Sequence, residues 1–354
     1  MNTTWPTTYN LLCDRKPELA DYITAMHYKS LPLLGTAGKE KYRTEIILDL
    51  AYLAESVKWE APLLFIDYLR WVQEMRLSHY GDNGNLIKKL GYIDIACKQR
   101  LPAQNYHALS VVLNEGTESL QSPAPLPETR LTKDNPMMLS ARQYLAYLLA
   151  ADKTKARDLI FKLLEQGRSV ADIYQYIFEA TQYEVGLLWQ NNKISVGQEH
   201  YCTAVTQFII SAVYQHIFNK GNKRGKLIAC TIAGDLHEMG VRMLADLFEI
   251  GGWDTYYMGA SMPDEGIISV IKQQQADILA ISVSMPLYLT SAETLITKIR
   301  SDERLKDVKI IIGGHPFNRV PQLWKRIGAD GYAVNAREAL ELANQFITTE
   351  KILR

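Results

Sequence analysis

The sequence predicts a helical protein with a C-terminal α/β domain, and three observations support this. Up to residue 120, apolar residues recur at the three-to-four spacing of amphipathic helices. Four prolines then interrupt residues 121–136. Helical spacing resumes over 137–219, and from residue 220 short strand-like runs alternate with helices, the pattern of βαβ units and a parallel sheet. We therefore expect a helical N-terminal domain (1–120), a linker (121–136), a helical bundle (137–219) and a sheet domain (220–354).

The helical elements follow from apolar spacing and from the residues that interrupt it. In the N-terminal domain the clearest amphipathic helices span 41–59 and 62–80. Breaks near Asp152, Gly167 and Asn191 divide the second helical region into four helices. Four helices of this length are sufficient for an antiparallel four-helix bundle.

The sheet domain contains five strand-like runs, with helical segments between and after them. The strands are predicted at 226–233, 253–259, 277–284, 308–314 and 331–335. The helices are predicted at 239–250, 264–275, 288–301, 319–327 and 336–347. A five-stranded parallel sheet with helices on both faces is a flavodoxin-like, doubly wound fold, and such folds bind ligands beyond the carboxyl ends of their strands.

The composition argues against several classes of protein. The 39 basic residues balance 39 acidic ones, so the positive excess needed for non-specific nucleic-acid binding is absent. No apolar run approaches the roughly 18–20 residues of a membrane span, and the N-terminus lacks the pattern of a signal peptide. Four scattered cysteines indicate free thiols and no structural zinc. We expect a cytoplasmic protein that binds neither nucleic acid directly nor membranes.

One histidine stands at the carboxyl end of the first predicted strand, in the stretch TIAGDLHEMG (231–240). Gly234 and Gly240 permit tight turns on either side, and Asp235 precedes His237 by two residues. A carboxylate bound to one imidazole nitrogen selects the tautomer and makes the other nitrogen a better metal ligand. In isolation, an Asp-x-His pair is more often part of a solvated loop, so its meaning depends on what else lies at this edge.

Hydroxyl groups and glycines follow two other strands at the same edge. Ser282 and Ser284 end the third predicted strand, and Gly313 and Gly314 end the fourth. Each feature alone is typical of an ordinary turn or helix cap. Together with His237 they describe one cleft with a metal ligand, hydroxyl donors and open backbone. The cleft contains neither GxGxxG nor a P-loop, which disfavours a nucleotide cofactor.

This combination resembles the cobalamin-binding domain of methionine synthase, corrinoid proteins and cobalamin photoreceptors. The resemblance rests on the Asp-x-His-x-x-Gly motif ending at Gly240, on the serine and glycine pairs, and on residues 328–343, which are similar to the family's closing strand and helix. It implies that His237 is the lower axial ligand of cobalt, oriented by Asp235, and that the cofactor's nucleotide tail passes the serines and glycines. Ser284 departs from the Ser-x-Leu pattern of many relatives, which leaves the tail contacts open.

The residues that distinguish members of this group lie in the predicted bundle. Trp189 is followed, after nine residues, by Glu199 and His200. An indole can stack on an adenosyl group and a carboxylate can accept hydrogen bonds from ribose, although a bundle-core tryptophan and a solvated acid–base pair are equally ordinary. The arrangement resembles that of CarH/LitR-type photoreceptors. It implies adenosylcobalamin held between bundle and sheet, with Trp189 covering the adenosyl group until light breaks the cobalt–carbon bond.

Two departures from the photoreceptor pattern bear on mechanism. Gln190 stands where some of these photoreceptors have a histidine that binds cobalt after photolysis, so the new upper ligand is left open. Residues 1–120 lack the compact basic recognition helix of a MerR-type DNA-binding domain. We expect this domain either to bind a partner or to act as a second sensor, and its helical content faintly resembles the bilin-binding domains of photocobilins. That resemblance implies a bilin or haem contact through His27, His79 or His107, although isolated helix histidines are more often structural.

The sequence therefore predicts a cobalamin-binding light sensor that is not itself an enzyme. It would signal by domain rearrangement, through a protein partner or a change of homo-oligomer. The first alternative is a corrinoid methyl carrier serving a methyltransferase, which would prefer methylcobalamin. The second is a light-independent cobalamin or redox sensor, which would be indifferent to the upper ligand.

Overall fold

The computed structural model describes residues 4–30, 36–81, 84–122, 129–217 and 223–353. These residues form two compact units. The first contains the N-terminal helices together with two short segments, Met285–Thr290 and Arg319–Leu323, and the second contains the helical bundle and a five-stranded sheet. Within the described ranges, no helix has both the length and the hydropathy to cross a membrane.

Five helices make up most of the described part of the first unit. They are α1 (Thr4–Ser30), α2 (Thr36–Lys58), α3 (Pro62–Tyr80), α4 (Gly84–Arg100) and α5 (Ala103–Gln121). The predicted helix at 62–80 is α3, and the predicted helix at 41–59 is the C-terminal part of α2. Leu50 and Leu53 of α2 and Phe65 and Leu69 of α3 are fully buried in one apolar core, because their spacing places them on one face of each helix.

A buried carboxylate lies inside the first unit. Glu55 of α2 keeps only 4% of its surface exposed. Its carboxylate accepts hydrogen bonds from the Trp59 indole at 3.0 Å and from the Thr290 hydroxyl at 2.8 Å. Burial raises the pKa of Glu55 to about 7, because it outweighs the hydrogen bonds, which act in the opposite direction.

We expect the Glu55→Gln substitution to remove part of the pH dependence of this unit's stability. Between pH 4.5 and about 7 the folded protein holds a proton on Glu55 that the unfolded chain has released. Stability is therefore lost as pH rises through this window, by about 3 kcal/mol. Hydrogen exchange of the α2 amides at about pH 5 and about pH 8 measures the free energy of opening in both proteins. The prediction would be contradicted if the free energies of opening of wild type and variant differed by the same amount at both pH values.

The bundle consists of four helical rods, as predicted. Its α-helices are α6 (Met138–Leu149), α7 (Lys153–Glu165), α8 (Val170–Ile173), α9 (Ala180–Gln190) and α10 (Val196–Val213). A π-helical segment, Tyr174–Glu179, joins α8 to α9 and makes them one rod. Asp152 begins α7 by accepting a hydrogen bond from the Lys155 backbone N–H at 3.0 Å, the usual action of an N-cap aspartate.

The predicted linker is only partly described. Residues 123–128 lie outside the described residues, whereas 129–136 are described and contain neither helix nor strand. Leu131 is nevertheless buried in the bundle core, and the Asn135 side chain donates a hydrogen bond to the Tyr176 carbonyl at 2.8 Å. Residues 129–136 therefore pack onto the bundle.

The sheet has the predicted doubly wound topology. Its strands are β1 (Lys226–Ile232), β2 (Asp254–Met262), β3 (Ile278–Ser282), β4 (Lys309–Gly313) and β5 (Gly331–Tyr332), all parallel, in the order β2-β1-β3-β4-β5. This is the strand order of flavodoxin-like folds. Thr231 pairs with Ser282, and Ser282 pairs with Gly313. These three residues therefore lie side by side at the carboxyl edge.

Three features of the sheet domain differ from the prediction. β2 runs on to Met262, and β5 is only two residues long. The helix predicted at 319–327 begins only at Leu323, because Pro321 lacks a backbone N–H and restricts the residue before it, and Arg319 instead ends a separate short helix that begins at His315. The helices of this domain are α11 (Met239–Ile250), α12 (Asp264–Gln274), α13 (Leu289–Ser301), α14 (His315–Arg319), α15 (Leu323–Ile327) and α16 (Ala336–Leu353).

Polar contacts join bundle and sheet inside the second unit. The Tyr174 hydroxyl donates to the buried Asp246 carboxylate at 2.7 Å, and the Tyr214 hydroxyl donates to Glu249 at the same distance. Burial raises the pKa of Asp246 to about 6. Both acceptors lie on α11, the helix that begins just after His237, so the bundle is attached close to the predicted site.

Candidate functional site

Backbone hydrogen bonds fix the loop that follows β1. Gly234 adopts φ +88°, and its N–H donates to the Ser261 hydroxyl at 3.0 Å. The Asp235 carbonyl accepts the Thr231 hydroxyl at 2.6 Å. The resulting turn buries the Asp235 side chain completely and leaves the His237 side chain 64% exposed.

Asp235, His237 and Ser284 form one hydrogen-bonded network. Asp235 Oδ1 lies 2.9 Å from His237 Nδ1 and 2.7 Å from Ser284 Oγ. The Ser284 backbone N–H donates to Asp235 Oδ2 at 2.7 Å, and Ser284 Oγ lies 2.8 Å from His237 Nδ1. The carboxylate is thus held from two directions, and it in turn orients the imidazole.

The same network sets the protonation of the pair. Burial alone would raise the pKa of Asp235, but hydrogen bonds from His237 and Ser284 outweigh it and hold the pKa below its usual range. The bond to Asp235 raises the pKa of His237 against the effect of burial, and the Glu199 carboxylate adds to that rise. Because Nδ1 is bound to a carboxylate, Nε2 is the nitrogen that remains to bind a metal.

A cavity adjoins the segment that follows His237. Its volume is about 380 Å³, within the range of roughly 300–1,000 Å³ typical of small-molecule sites. Gly240, Ser282, Gly313 and Gly314 line it, whereas Asp235, His237 and Ser284 are not among its lining residues. The two serines differ in what they contact, since Ser282 faces this cavity whereas the Ser284 hydroxyl is bonded to Asp235 and His237.

The glycines of the cavity serve different purposes. At Gly314, where φ is +114°, a Cβ would lie only 1.9 Å from the Val283 carbonyl oxygen, so no side chain fits without moving the backbone. At Gly240 a Cβ would meet nothing within 4 Å, so this position is open space. Gly314 therefore allows two backbone segments to approach closely, and Gly240 keeps the space beside α11 free.

The predicted upper-face residues lie on two bundle helices. Trp189, near the end of α9, packs half-buried against the bundle core, and the following Gln190 is buried. On α10, Glu199 Oε2 lies 2.7 Å from His200 Nδ1, and Glu199 also accepts a hydrogen bond from Thr203 at 3.1 Å. Among these residues, Glu199 carries the charge that raises the pKa of His237. The His200 side chain is mostly exposed.

The histidines of the first unit have different surroundings. His27 is buried and stacks on Tyr42 with ring centroids 4.1 Å apart, and burial lowers its pKa. His79 and His107 are exposed. The stacking gives His27 a structural role in the core. A bilin or haem contact through any of the three remains a prediction.

Glu238, which was not predicted from the sequence, holds the loop of His237 against two other elements. Its carboxylate accepts hydrogen bonds from Gln207 of α10 at 3.1 Å and from the Tyr257 hydroxyl of β2 at 2.9 Å. Its position next to His237 was the only available signal. The two partners lie 31 and 19 residues away in the chain and are brought near only by folding.

Comparison with known proteins gives the class of this module. Two family models, both described as a B12 binding domain, match residues 225–341 and 140–214. A dimethylamine corrinoid protein of Methanosarcina acetivorans is 24% identical over 59% of this chain and 100% of its own length. A corrinoid protein of Desulfitobacterium hafniense is 23% identical over 56% of this chain and 94% of its own.

A solved structure shows the same fold. The monomethylamine corrinoid protein of Methanosarcina barkeri superposes with a TM-score of 0.53 at 18% identity, over 58% of this chain and 98% of its own. The family models match the four-helix bundle and the sheet domain, the parts that hold the cavity and the His237 network. The chain therefore carries B12-binding domains over residues 140–214 and 225–341 and is a cobalamin-binding protein related to corrinoid proteins.

Proposed function

We propose that this chain is a corrinoid methyl carrier of a methyltransferase system, with His237 as the lower ligand of cobalt. The observation that carries the proposal is the His237–Asp235–Ser284 network beside an open cavity. The corrinoid proteins of Methanosarcina acetivorans and Desulfitobacterium hafniense support it, because the chain matches 94–100% of their lengths. It also follows that a partner protein supplies and removes the methyl group, so this chain is not itself the catalyst.

The residues present fit a cobalamin. An exposed imidazole with Nδ1 bound to a carboxylate would suit a metal that has one free coordination position and is otherwise held by a macrocycle. The adjacent cavity of about 380 Å³ has apolar walls, among them Met243, Leu247 and Ile281, which suit an aromatic base. The open space at Gly240 would leave room for the cofactor to extend from His237 to the cavity.

When bound, the corrinoid's cobalt supplies both the acceptor and the donor of a methyl group. The chain's residues would hold that cofactor and orient the imidazole that binds it. Asp235 holds the proton at His237 Nδ1, which strengthens Nε2 as a ligand, and Ser284 keeps the carboxylate in place. Glu238 attaches the loop to α10 and β2, which would hold the imidazole in position under the cofactor.

A light sensor that binds adenosylcobalamin is the second candidate. It is favoured by Trp189, half-buried on α9, and by Glu199, whose charge reaches His237 from α10. Signalling would then proceed through a rearranged homo-oligomer or a protein partner. A cobalamin or redox sensor without light response is the remaining alternative, distinguished by indifference to the upper ligand.

The decisive experiment compares two upper ligands on the purified chain. We expect methylcobalamin to bind at least as tightly as adenosylcobalamin. We further expect the reduced cobalamin complex to stay intact on gel filtration after methylation by methyl iodide, which releases iodide. Green light should leave the oligomeric state of the adenosylcobalamin complex unchanged. Absorption spectra report the cobalt state at each step.

Other outcomes would favour the light sensor or the light-independent sensor. A marked preference for adenosylcobalamin, with an oligomer that changes on illumination and no longer changes in the Trp189→Phe variant, would replace the carrier with the light sensor. Equal binding of all upper ligands, with loss of the cofactor on reduction, would favour the light-independent sensor.

A further inference from the structure

The first unit includes two segments that follow strands of the sheet in the chain. Met285–Thr290 follows β3, and Arg319–Leu323 follows β4 after the short helix α14. Both strands end at the carboxyl edge of the sheet, β3 at Ser282 and β4 at Gly313. The first unit therefore contains the chain shortly after it leaves this edge on two strands.

The segment Met285–Thr290 begins directly after Ser284. The Ser284 hydroxyl and backbone N–H both donate to the Asp235 carboxylate at 2.7 Å. Between Ser284 and Thr290 the chain forms the 3₁₀ turn Pro286–Tyr288, and its proline has a fixed φ. Few dihedral angles of this short connection are free, so a displacement of Thr290 is passed on to Ser284.

Apolar packing holds the middle of the segment in the first unit. Pro286 and Leu289 are buried, and Met285 and Leu287 pack against the core of the N-terminal helices. Apolar packing is not directional. A directional contact is therefore needed to fix the end of the segment.

The Thr290 hydroxyl makes that directional contact. It donates to Glu55 Oε2 at 2.8 Å and accepts a hydrogen bond from Lys58 Nζ at 3.1 Å. Hydrogen bonds to charged groups are about twice as strong as neutral ones. The Trp59 indole donates to the same Glu55 oxygen at 3.0 Å, so the carboxylate is itself held in place.

Glu55 is the group in this cluster whose charge changes near neutral pH. Burial raises its pKa to about 7. The other titratable groups around it are Tyr9, Cys13 and Lys58, and burial raises the pKa of both Tyr9 and Cys13, which keeps these two neutral. The contact with Thr290 is therefore charged above about pH 7 and neutral below it.

The contact joins the corrinoid-binding module to a helix outside it. Thr290 lies within the range 225–341 that a family model matches, whereas Glu55 lies outside both matched ranges. The dimethylamine corrinoid protein of Methanosarcina acetivorans is matched over its whole length by 59% of this chain. The contact with Glu55 is therefore an addition to the module that this relative shares.

We propose that Glu55 and Thr290 are positioning residues, whose hydrogen bond keeps Ser284 in place and thereby strengthens the bond between His237 and cobalt. Both act along the chain between Thr290 and Ser284, and neither is a ligand. The inference rests on the proposed function only in taking His237 as the cobalt ligand, and methyl transfer is not required for its test.

The test measures the affinity of the intact chain for methylcobalamin by absorbance titration at about pH 8, where Glu55 is ionised. Thr290→Val removes the hydroxyl and keeps the shape of the side chain. We expect it to weaken binding about fivefold, the size of effect typical of coupling through a packed chain of residues. In a His237→Ala background the same substitution should have no effect, because the bond that it weakens is already lost.

A second variant gives a pH profile. Glu55→Gln keeps an acceptor for Thr290 but removes the charge, so it should weaken binding about twofold at about pH 8. At about pH 5 it should match wild type, because the folded wild type then holds a proton on Glu55. This variant also carries the test if Thr290→Val does not fold.

Matched controls separate the hydrogen bond from packing. Thr290→Ser retains the hydroxyl and should restore nearly the wild-type affinity. Thr297→Val removes an exposed hydroxyl two turns further along α13 and should leave the affinity unchanged. Melting temperatures check that each variant is folded.

Several results would overturn the inference. A folded Thr290→Val variant with wild-type affinity would show that the contact does not reach the cobalt site. Equal weakening with and without His237, or in Thr290→Ser as in Thr290→Val, would assign the effect to folding or packing. Wild-type affinity of Glu55→Gln at about pH 8 would remove the role of the charge. A wild type that does not bind methylcobalamin, or binds it no better than His237→Ala, would instead overturn the proposed function.

Discussion

Replacing Gly314 by alanine is expected to destabilise the sheet domain by about 4 kcal/mol or more, and to prevent folding if the chain cannot adjust. The added Cβ would lie 1.9 Å from the Val283 carbonyl oxygen and 2.7 Å from its carbonyl carbon. Val283 is fully buried, and its N–H donates to the Gly313 carbonyl at 2.9 Å, so this backbone has little freedom to move. The φ of +114° adds strain for any residue with a side chain.

Urea unfolding followed by circular dichroism measures this effect, and Gly240→Ala is its matched control. Gly240 lies in α11, and an added Cβ there meets nothing within 4 Å, so the control should change stability by roughly 1 kcal/mol or less. Gly314→Ala unfolding at the wild-type urea concentration would contradict the close backbone approach between the ends of β3 and β4.

The His237→Ala variant is expected to lose the nitrogen ligand of cobalt and to weaken cobalamin binding by about a hundredfold. The estimate reflects loss of the ligand itself, since removing only a group that orients a metal ligand already costs about 10–100-fold. The direct measurement is electron paramagnetic resonance of the cob(II)alamin form. In wild type, coupling to one histidine nitrogen should split the cobalt lines, and in the variant that coupling should disappear.

His200→Ala is the matched control for this prediction. Its side chain is also exposed and also lies beside a carboxylate, Glu199, at 2.7 Å, but it belongs to the bundle. The nitrogen coupling should persist in this control. Asp235→Asn should give an intermediate result, with weaker binding and partial coupling, because the amide has about the same size but no charge. Coupling that survives in His237→Ala, or disappears in His200→Ala, would reassign the lower ligand.

The sequence predicts the structures of the two units to different extents. The buried strands of the sheet are continuous apolar runs bounded by turns, so the five-stranded doubly wound fold could be predicted and is confirmed by the strand order. Two elements differ from the prediction: β5 is only two residues long, and the helix after Pro321 begins at Leu323 because proline lacks a backbone N–H. Two helices of the first unit, at 41–59 and 62–80, could be located, whereas the burial of Glu55 against Thr290, 235 residues away, could not.

The corrinoid relatives and the sequence motifs favour different functions. Trp189 and Glu199-His200 suggested a light sensor, because each residue has a plausible contact with an adenosyl group. The match over 94–100% of the lengths of two corrinoid proteins supports the methyl carrier instead. The light response therefore becomes the alternative that the upper-ligand experiment tests.

The sequence by itself determined the fold class, the position of His237 at the end of the first strand and its closeness to Asp235. The fold class follows from the alternation of strand-like and helical runs, and the closeness of His237 to Asp235 follows from their separation of two positions in the chain. Only the tertiary structure decided that Ser284, 47 residues from His237, completes the hydrogen-bonded network. It also decided that Glu238 is held by α10 and β2. Finally, it decided that Gln175 and Arg337 line one cavity. Those contacts join distant parts of the chain, and the parallel register of the strands and the packing of the bundle on α11 bring them together.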